Sequence, residues 1–150
     1  MRSTEMNGRL SGVSKADAFA RLSDFGSYAE LAPSIRSIEI ENVDEHTVRT
    51  KWNVNFRGGT MRWTEEDRLD PDAGTITFTL VEGSLKQFDG SWEVRDADGG
   101  SEVRFLCDFA VGMPAMATFI DPLAERAIRD NVKEILKGLF GAAYEPGETR

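Results

Sequence analysis

Between Ser34 and Ala110 apolar and polar residues alternate, and short clusters of Gly, Asp and Asn cut the alternation into runs. A period of two sends successive side chains to opposite faces of a strand, so this stretch is constrained to antiparallel hairpins in series. Ile38 and Ile40 mark one run. In the next, Val48, Thr50, Trp52, Val54 and Phe56 share a face, opposite Arg49, Lys51, Asn53 and Asn55. Gly58 and Gly59 supply a hairpin turn. Runs through Met61 to Leu69, Ile76 to Leu80, Phe88 to Val94 and Val103 to Phe109 follow, each separated by a turn.

Helical spacing flanks this meander. Ser14 with Asp17 resembles a capping box and opens a helix through Ala18, Phe19 and Leu22. Ser27 is placed to cap a second, Tyr28 to Leu31, which Pro33 stops. After the meander, Asp121 as cap and Pro122 in the first turn predict the start of a long helix. Its apolar stripe is Leu123, Ala124, Ala127, Ile128, Asn131, Ile135, Leu136 and Leu139, with Gly138 and Gly141 at a fraying end. Such a stripe needs a partner, and the sheet is the only large surface on offer. The reading is one domain over residues 1–144 with 145–150 as a frayed tail.

Charge and composition narrow the partners. Eighteen Lys and Arg against 26 Asp and Glu leave a net charge of −8, which repels nucleic acid and anionic membranes. One cysteine, Cys107, excludes an intrachain disulfide; with His46 the single histidine, a His/Cys metal cage is excluded too. The first residues contain no apolar signal core, and the uncharged stretch Phe109 to Ile120 is broken by Gly112 and Pro114. A cytoplasmic protein, monomeric or weakly dimeric, without metal, cofactor or stable membrane insertion, is expected. No G-x-S-x-G, P-loop or G-x-G-x-x-G opens a helix. His46 reads as an exposed turn residue and Cys107 as a small core residue.

Trp52, Phe56, Phe78, Phe88, Trp92, Phe105 and Phe109 form an aromatic set larger than one helix stripe covers. It packs either as a plain core or as the wall of a cavity for an apolar or aromatic ligand. The segment entering the last helix, with Met113, Met116 and Phe119, is apolar and adaptable and suits either a gate or a helix start. The strand over 60–69 holds a conflict. One face carries Met61, Trp63, Glu65, Asp67 and Leu69, the other Thr60, Arg62, Thr64, Glu66 and Arg68. Apolar content favours the first as the inner face, yet either choice puts charge inside, where it must pair or shift its pKa. An inward Arg68–Glu66 pair would polarise a ligand oxygen; an outward one is a solvated charge ladder.

The order of elements and the series Trp63 to Leu69 (W-T-E-E-D-R-L), Gly90 to Val94 (G-S-W-E-V) and Glu102 to Phe105 (E-V-R-F) resemble the START-like, helix-grip superfamily. Within it the chain is similar to polyketide cyclase/dehydrase-type and coenzyme-Q-binding proteins. The resemblance implies an α+β helix-grip fold. In it a curved seven-stranded antiparallel sheet wraps a long C-terminal helix, with two short helices after the first strand, around a hydrophobic cavity. It implies a hydrophobic polycyclic or polyketide-like small molecule as partner, with either cyclase/aromatase activity or the role of a non-catalytic carrier or sequestering protein. In aromatase/cyclase members a strand arginine anchors a substrate oxygen. That position falls on Arg68, with Glu66 as acid/base, which would turn Arg62 and Thr64 inward as well. If the strand faces the other way, Glu65 or Asp67 takes the acid/base role. Ligand-binding candidates are Trp52, Arg62, Trp63, Thr64, Phe78, Phe88, Trp92, Phe105, Met113, Met116, Phe119 and Asn131. The chain departs from the aromatase pattern at Ile35, Glu66 and Leu80, where those enzymes carry a tyrosine, a small hydroxyl residue and a second arginine.

Overall fold

A computed structural model describes residues 2–56, 58–112 and 114–147. Strand β1 (Arg2–Ser11) is followed by helices α1 (Lys15–Leu22) and α2 (Tyr28–Leu31). The meander is β2 (Ile35–Asn42), β3 (Thr47–Phe56), β4 (Gly59–Asp70), β5 (Thr75–Gly83), β6 (Gln87–Ala97) and β7 (Gly100–Ala110). Helix α3 (Ala117–Phe140) and a short strand β8 (Tyr144–Pro146) follow. The sheet order is β2-β3-β4-β5-β6-β7-β1-β8, every neighbouring pair antiparallel.

The predicted hairpins form because each run alternates and each turn has residues that tolerate it. Gly58 and Gly74, at φ 79° and 74°, occupy the left-handed region in two of these turns. Ser14 caps α1 as expected, its Oγ accepting the Asp17 N–H at 3.1 Å. Ser27 does not cap α2. Its hydroxyl donates to the Asp24 carbonyl at 2.9 Å, because Phe25–Ser27 already form a 3-10 turn running into the helix.

Three expectations need correction. Among the described residues an eighth strand joins the seven expected: Tyr144–Pro146 pairs with Leu10, Arg9 and Gly8 of β1, and the Gly147 N–H donates to the Asn7 carbonyl at 2.7 Å. Burial of the Tyr144 ring drives this pairing, so residues 145 and 146 lie in the sheet, while 148–150 of the expected tail lie outside the described residues. Second, α3 begins at Ala117, five residues before Pro122. Pro122 therefore sits inside the helix, where it gives no N–H to the carbonyl four residues back and its ring crowds that carbonyl, on an exposed side of the second turn. Third, Gly138 lies inside α3 rather than at a frayed end. A Cβ there would stand 2.6 Å from Leu31 Cβ and 2.7 Å from the Leu31 carbonyl oxygen, so glycine is what lets α2 touch α3. Arg21 fastens the same end of the helix, donating to the Leu139 carbonyl at 3.2 Å and lying over the Phe140 ring at 5.6 Å.

The inner faces of β3–β7 and the buried side of α3 (Ala124, Val132, Ile135, Leu136 and Phe140) face each other. Val132 and Phe140 are buried with the stripe although they lie outside the residues that the spacing predicts for it. Cys107 is buried on β7 and His46 exposed in its turn, as expected. Among the described residues no helix is long and apolar enough to cross a membrane.

Candidate functional site

The sheet and helix do not close completely. A cavity of about 350 Å³ lies between them, lined from the sheet by Trp52, Trp63, Phe78, Phe88, Trp92 and Phe105 and from α3 by Leu123, Ala124, Ala127, Ile128 and Asn131. That volume falls in the range of small-molecule sites. Of the two readings of the aromatic set, the cavity wall is the one observed.

Alternation puts these rings on one face, and strand pairing brings them together. Trp52 of β3 stands opposite Trp63 of β4, and their rings stack at 5.6 Å between centroids with planes 6° apart. Trp63 meets Phe88 at 5.2 Å, Phe88 meets Phe78 at 5.2 Å, and Phe78 meets Phe105 at 5.8 Å. Trp92 closes the series edge-on to Phe105 at 4.8 Å. At the other end Tyr28 and Phe25 extend it, Tyr28 lying edge-on to Trp52 at 5.9 Å and to Phe25 at 5.5 Å. Each such pair contributes roughly 0.5–1.5 kcal/mol beyond its buried area, so ring contacts hold the wall together without a ligand.

The polar floor of the cavity comes from the strand whose facing was ambiguous. Met61, Trp63, Glu65, Asp67 and Leu69 point inward, and Glu65 and Asp67 are buried, 3% and 1% exposed. Trp63 Nε1 donates to Glu65 Oε1 at 2.8 Å, Trp52 Nε1 to Thr50 Oγ1 at 2.8 Å, and Thr50 Oγ1 to Asp67 Oδ2 at 2.6 Å. The two carboxyls also hydrogen-bond to each other. Burial first, then the Asp67 charge and hydrogen bond, hold Glu65 well above the ordinary carboxyl pKa. Burial raises Asp67 too, while the bonds from Glu65 and Thr50 oppose it. The two carboxyls thus form a buried, hydrogen-bonded pair in which a proton held by one is accepted by the other. Tyr28, close behind, is raised by burial first and then by the neighbouring carboxyl pair, and its hydroxyl donates to the Leu22 carbonyl.

The inward assignment of Arg68 and Glu66 is therefore corrected. Arg62 and Arg68 are exposed on the outer face of β4, and Glu66 pairs there with Arg49 at 3.4 Å. Both partners of that pair are well solvated, which makes it worth at most about 1 kcal/mol. Thr64 is covered but follows the same outward alternation, opposite Lys51. The physical reason is asymmetric. A carboxyl can shed its burial penalty by taking a proton, whereas a guanidinium cannot lose one, and burying Trp63 is worth roughly 1.5–3 kcal/mol.

Among the ligand-binding candidates, Trp52, Trp63, Phe78, Phe88, Trp92, Phe105 and Asn131 line the cavity, and Arg62 and Thr64 do not. Met116 and Phe119 are 44% and 69% exposed and do not line it. Met113 lies outside the described residues. Sequence reasoning missed Phe25, Ser34, Leu85 and Glu134. Leu85 stands alone between two strands, where no periodicity marks it. Ser34 joins the wall through long-range bonds: its N–H donates to Glu134 Oε1 at 2.8 Å, and Asn131 Nδ2 donates to its Oγ at 3.0 Å. Among the described residues no group of His, Cys, Asp and Glu could hold a metal ion.

A curved antiparallel sheet closed by one long helix over an aromatic pocket defines a helix-grip protein. The sequence matches the family described as polyketide cyclase / dehydrase and lipid transport over residues 11–136, and the chain belongs to that family. It is a START-like domain by fold. Among solved structures, TTHA0849 from Thermus thermophilus is 20% identical, with a TM-score of 0.83 over 93% of this chain and 96% of that one. Zhui, an aromatase/cyclase from a Streptomyces species, is 20% identical, with a TM-score of 0.80 over 95% of this chain and 93% of that one. A START superfamily protein from Mycobacterium smegmatis is 14% identical, with a TM-score of 0.73 over 92% of this chain and 95% of that one. At these identities the likeness is one of fold. No curated protein matches the sequence.

Proposed function

We propose that this protein binds a planar, hydrophobic small molecule of polycyclic or polyketide-like shape inside the cavity between sheet and helix. The observation that carries the reading is the aromatic wall itself, seven rings in contact from Tyr28 to Trp92 beside an unfilled space of about 350 Å³. Flat rings stack on such a wall, and a wall already ordered loses little entropy when they do.

If the ligand is turned over in the manner of a cyclase or aromatase, the acid/base is Glu65 backed by Asp67, not Glu66 with Arg68. Glu65 is the buried titratable group on the cavity surface, and its proton is held near the reacting molecule rather than lost to solvent. The second reading, a carrier or sequestering protein for a lipid, quinone or other natural product, is favoured by the outward position of Arg68, which leaves the sheet side of the cavity without an arginine.

Tricyclic aromatic compounds titrated into the protein should quench the fluorescence of the stacked Trp52–Trp63 pair. Trp92→Ala should weaken that binding about tenfold or more, the scale of a well-packed aromatic anchor. Absence of quenching and of calorimetric heat with every compound would sink the binding reading. Between the two functions, Glu65→Gln should abolish turnover and spare affinity in an enzyme, whereas a carrier has no turnover to lose.

A further inference from the structure

The charges in and around the cavity are one-sided. Two carboxyls, Glu65 and Asp67, are buried side by side in the floor and bonded to neutral donors, Trp63 Nε1 and Thr50 Oγ1, so any negative charge the pair carries has no cation beside it. Among the described residues no Arg or Lys pairs with either carboxyl: the ion pairs there join Arg2 to Glu125, Arg49 to Glu66, Arg95 to Glu102 and Arg104 to Glu5. The groups that act electrostatically on the pair or are acted on by it are Tyr28 from α2, Glu66 from β4 and Cys107 from β7, all neutral or acidic. Of the remaining charged residues in the wall, Asp130 and Glu134 are acidic and Arg126 is the cation, exposed on α3. A buried anion held by hydrogen bonds alone is costly and is relieved by any cation brought to it. Directly beside it stand two stacked indoles, whose faces attract positive charge.

We infer that the cavity is built for a planar ligand carrying a basic nitrogen, with the protonated nitrogen against Glu65 and the rings against Trp52 and Trp63. This rests on the binding reading above and adds a sign to it: a purely hydrocarbon guest leaves the carboxylate uncompensated, and an anionic one is repelled. The net charge of −8 draws such cations toward the protein before they reach the cavity.

Three tricyclic probes of similar size test this: 9-aminoacridine as cation, acridone as neutral compound and anthracene-9-carboxylate as anion, titrated calorimetrically at pH 7 into the whole chain. The cation should bind about tenfold more tightly than acridone, and the anion most weakly. Acridone should displace the cation competitively, which separates the cavity from the acidic surface. The Glu65→Gln/Asp67→Asn double variant, which removes the charge and preserves shape, should bring the cation and acridone to equal affinity. The wild-type series decides the matter even if that variant does not fold. Equal binding of all three probes, preference for the anion, or a cation that acridone cannot displace would overturn the inference while leaving a hydrophobic cavity intact. Failure of all three to bind would instead remove the binding reading on which it rests.

Discussion

Glu65 is the residue on which the chemistry of the pocket turns. Its burial and its bond to Asp67 raise its pKa, so the folded chain holds a proton that the unfolded chain releases. Because the folded state binds more protons from the ordinary value of 4.5 upward, this group stabilises the fold at low pH. Its contribution is lost as pH rises through the elevated folded value. Asp67, raised from 3.8, acts in the same direction. Glutamine at position 65 can keep both hydrogen bonds without titrating. Urea unfolding at intervals between about pH 5 and about pH 8 should thus show stability falling in the wild type and a flatter profile in Glu65→Gln. Parallel profiles would mean that Glu65 is already ionised in the fold. The same residue marks the limit of sequence reading at this scale. Alternation tells which residues share a face with Glu65, and apolar content favours that face as the inner one. The family resemblance, which places an arginine at Arg68, favours the opposite face. The hydrogen-bond partners that make an inward carboxyl tolerable include Thr50 and Trp52 from another strand, and their relation to Glu65 and Asp67 depends on register.

At the scale of elements, the short contact between α2 and α3 sets how the helix lies over the pocket. Gly138→Ala gains helix propensity of about 1 kcal/mol, but its methyl collides with the Leu31 carbonyl oxygen, which cannot swing aside as a side chain can. Overpacking of this kind costs roughly 1–3 kcal/mol, so the variant should be destabilised by about 1 kcal/mol and its unfolding midpoint lowered. An unchanged or raised midpoint would show that α2 moves freely relative to α3. Elements with strong periodicity were legible in the sequence: the hairpins from Thr47 to Ala110, and α1 with its Ser14 cap, all form near their predicted places. Elements fixed by docking were not. Tyr144–Pro146 is too short to show a period and becomes a strand only because β1 offers an open edge and Tyr144 a ring to bury. The first turns of α3 likewise disregard the Asp121–Pro122 start signal.

For the whole molecule the decisive property is empty volume at the centre of an otherwise tightly packed fold. Filling it should remove binding without removing the fold. Ala127 lines the cavity from α3 and is only half-buried, so Ala127→Trp has space to enter. It should keep the far-ultraviolet spectrum of the parent and a thermal midpoint no more than a few degrees lower, as expected for about 1 kcal/mol in a domain this size. Its affinity for tricyclic probes should fall at least about tenfold. Retained affinity would place the ligand elsewhere. By itself the sequence determined the period-two strands, their turns, the helix that must cover them and the surplus of aromatic side chains, because each depends on neighbours a few residues apart. Only the tertiary structure decided that the surplus surrounds a hollow, that β4 turns its carboxyls inward and its arginines outward, and that Tyr144–Pro146 join the sheet. Those outcomes depend on long-range strand and helix pairing, where the balance of burial, proton sharing and packing is struck between residues far apart in the chain.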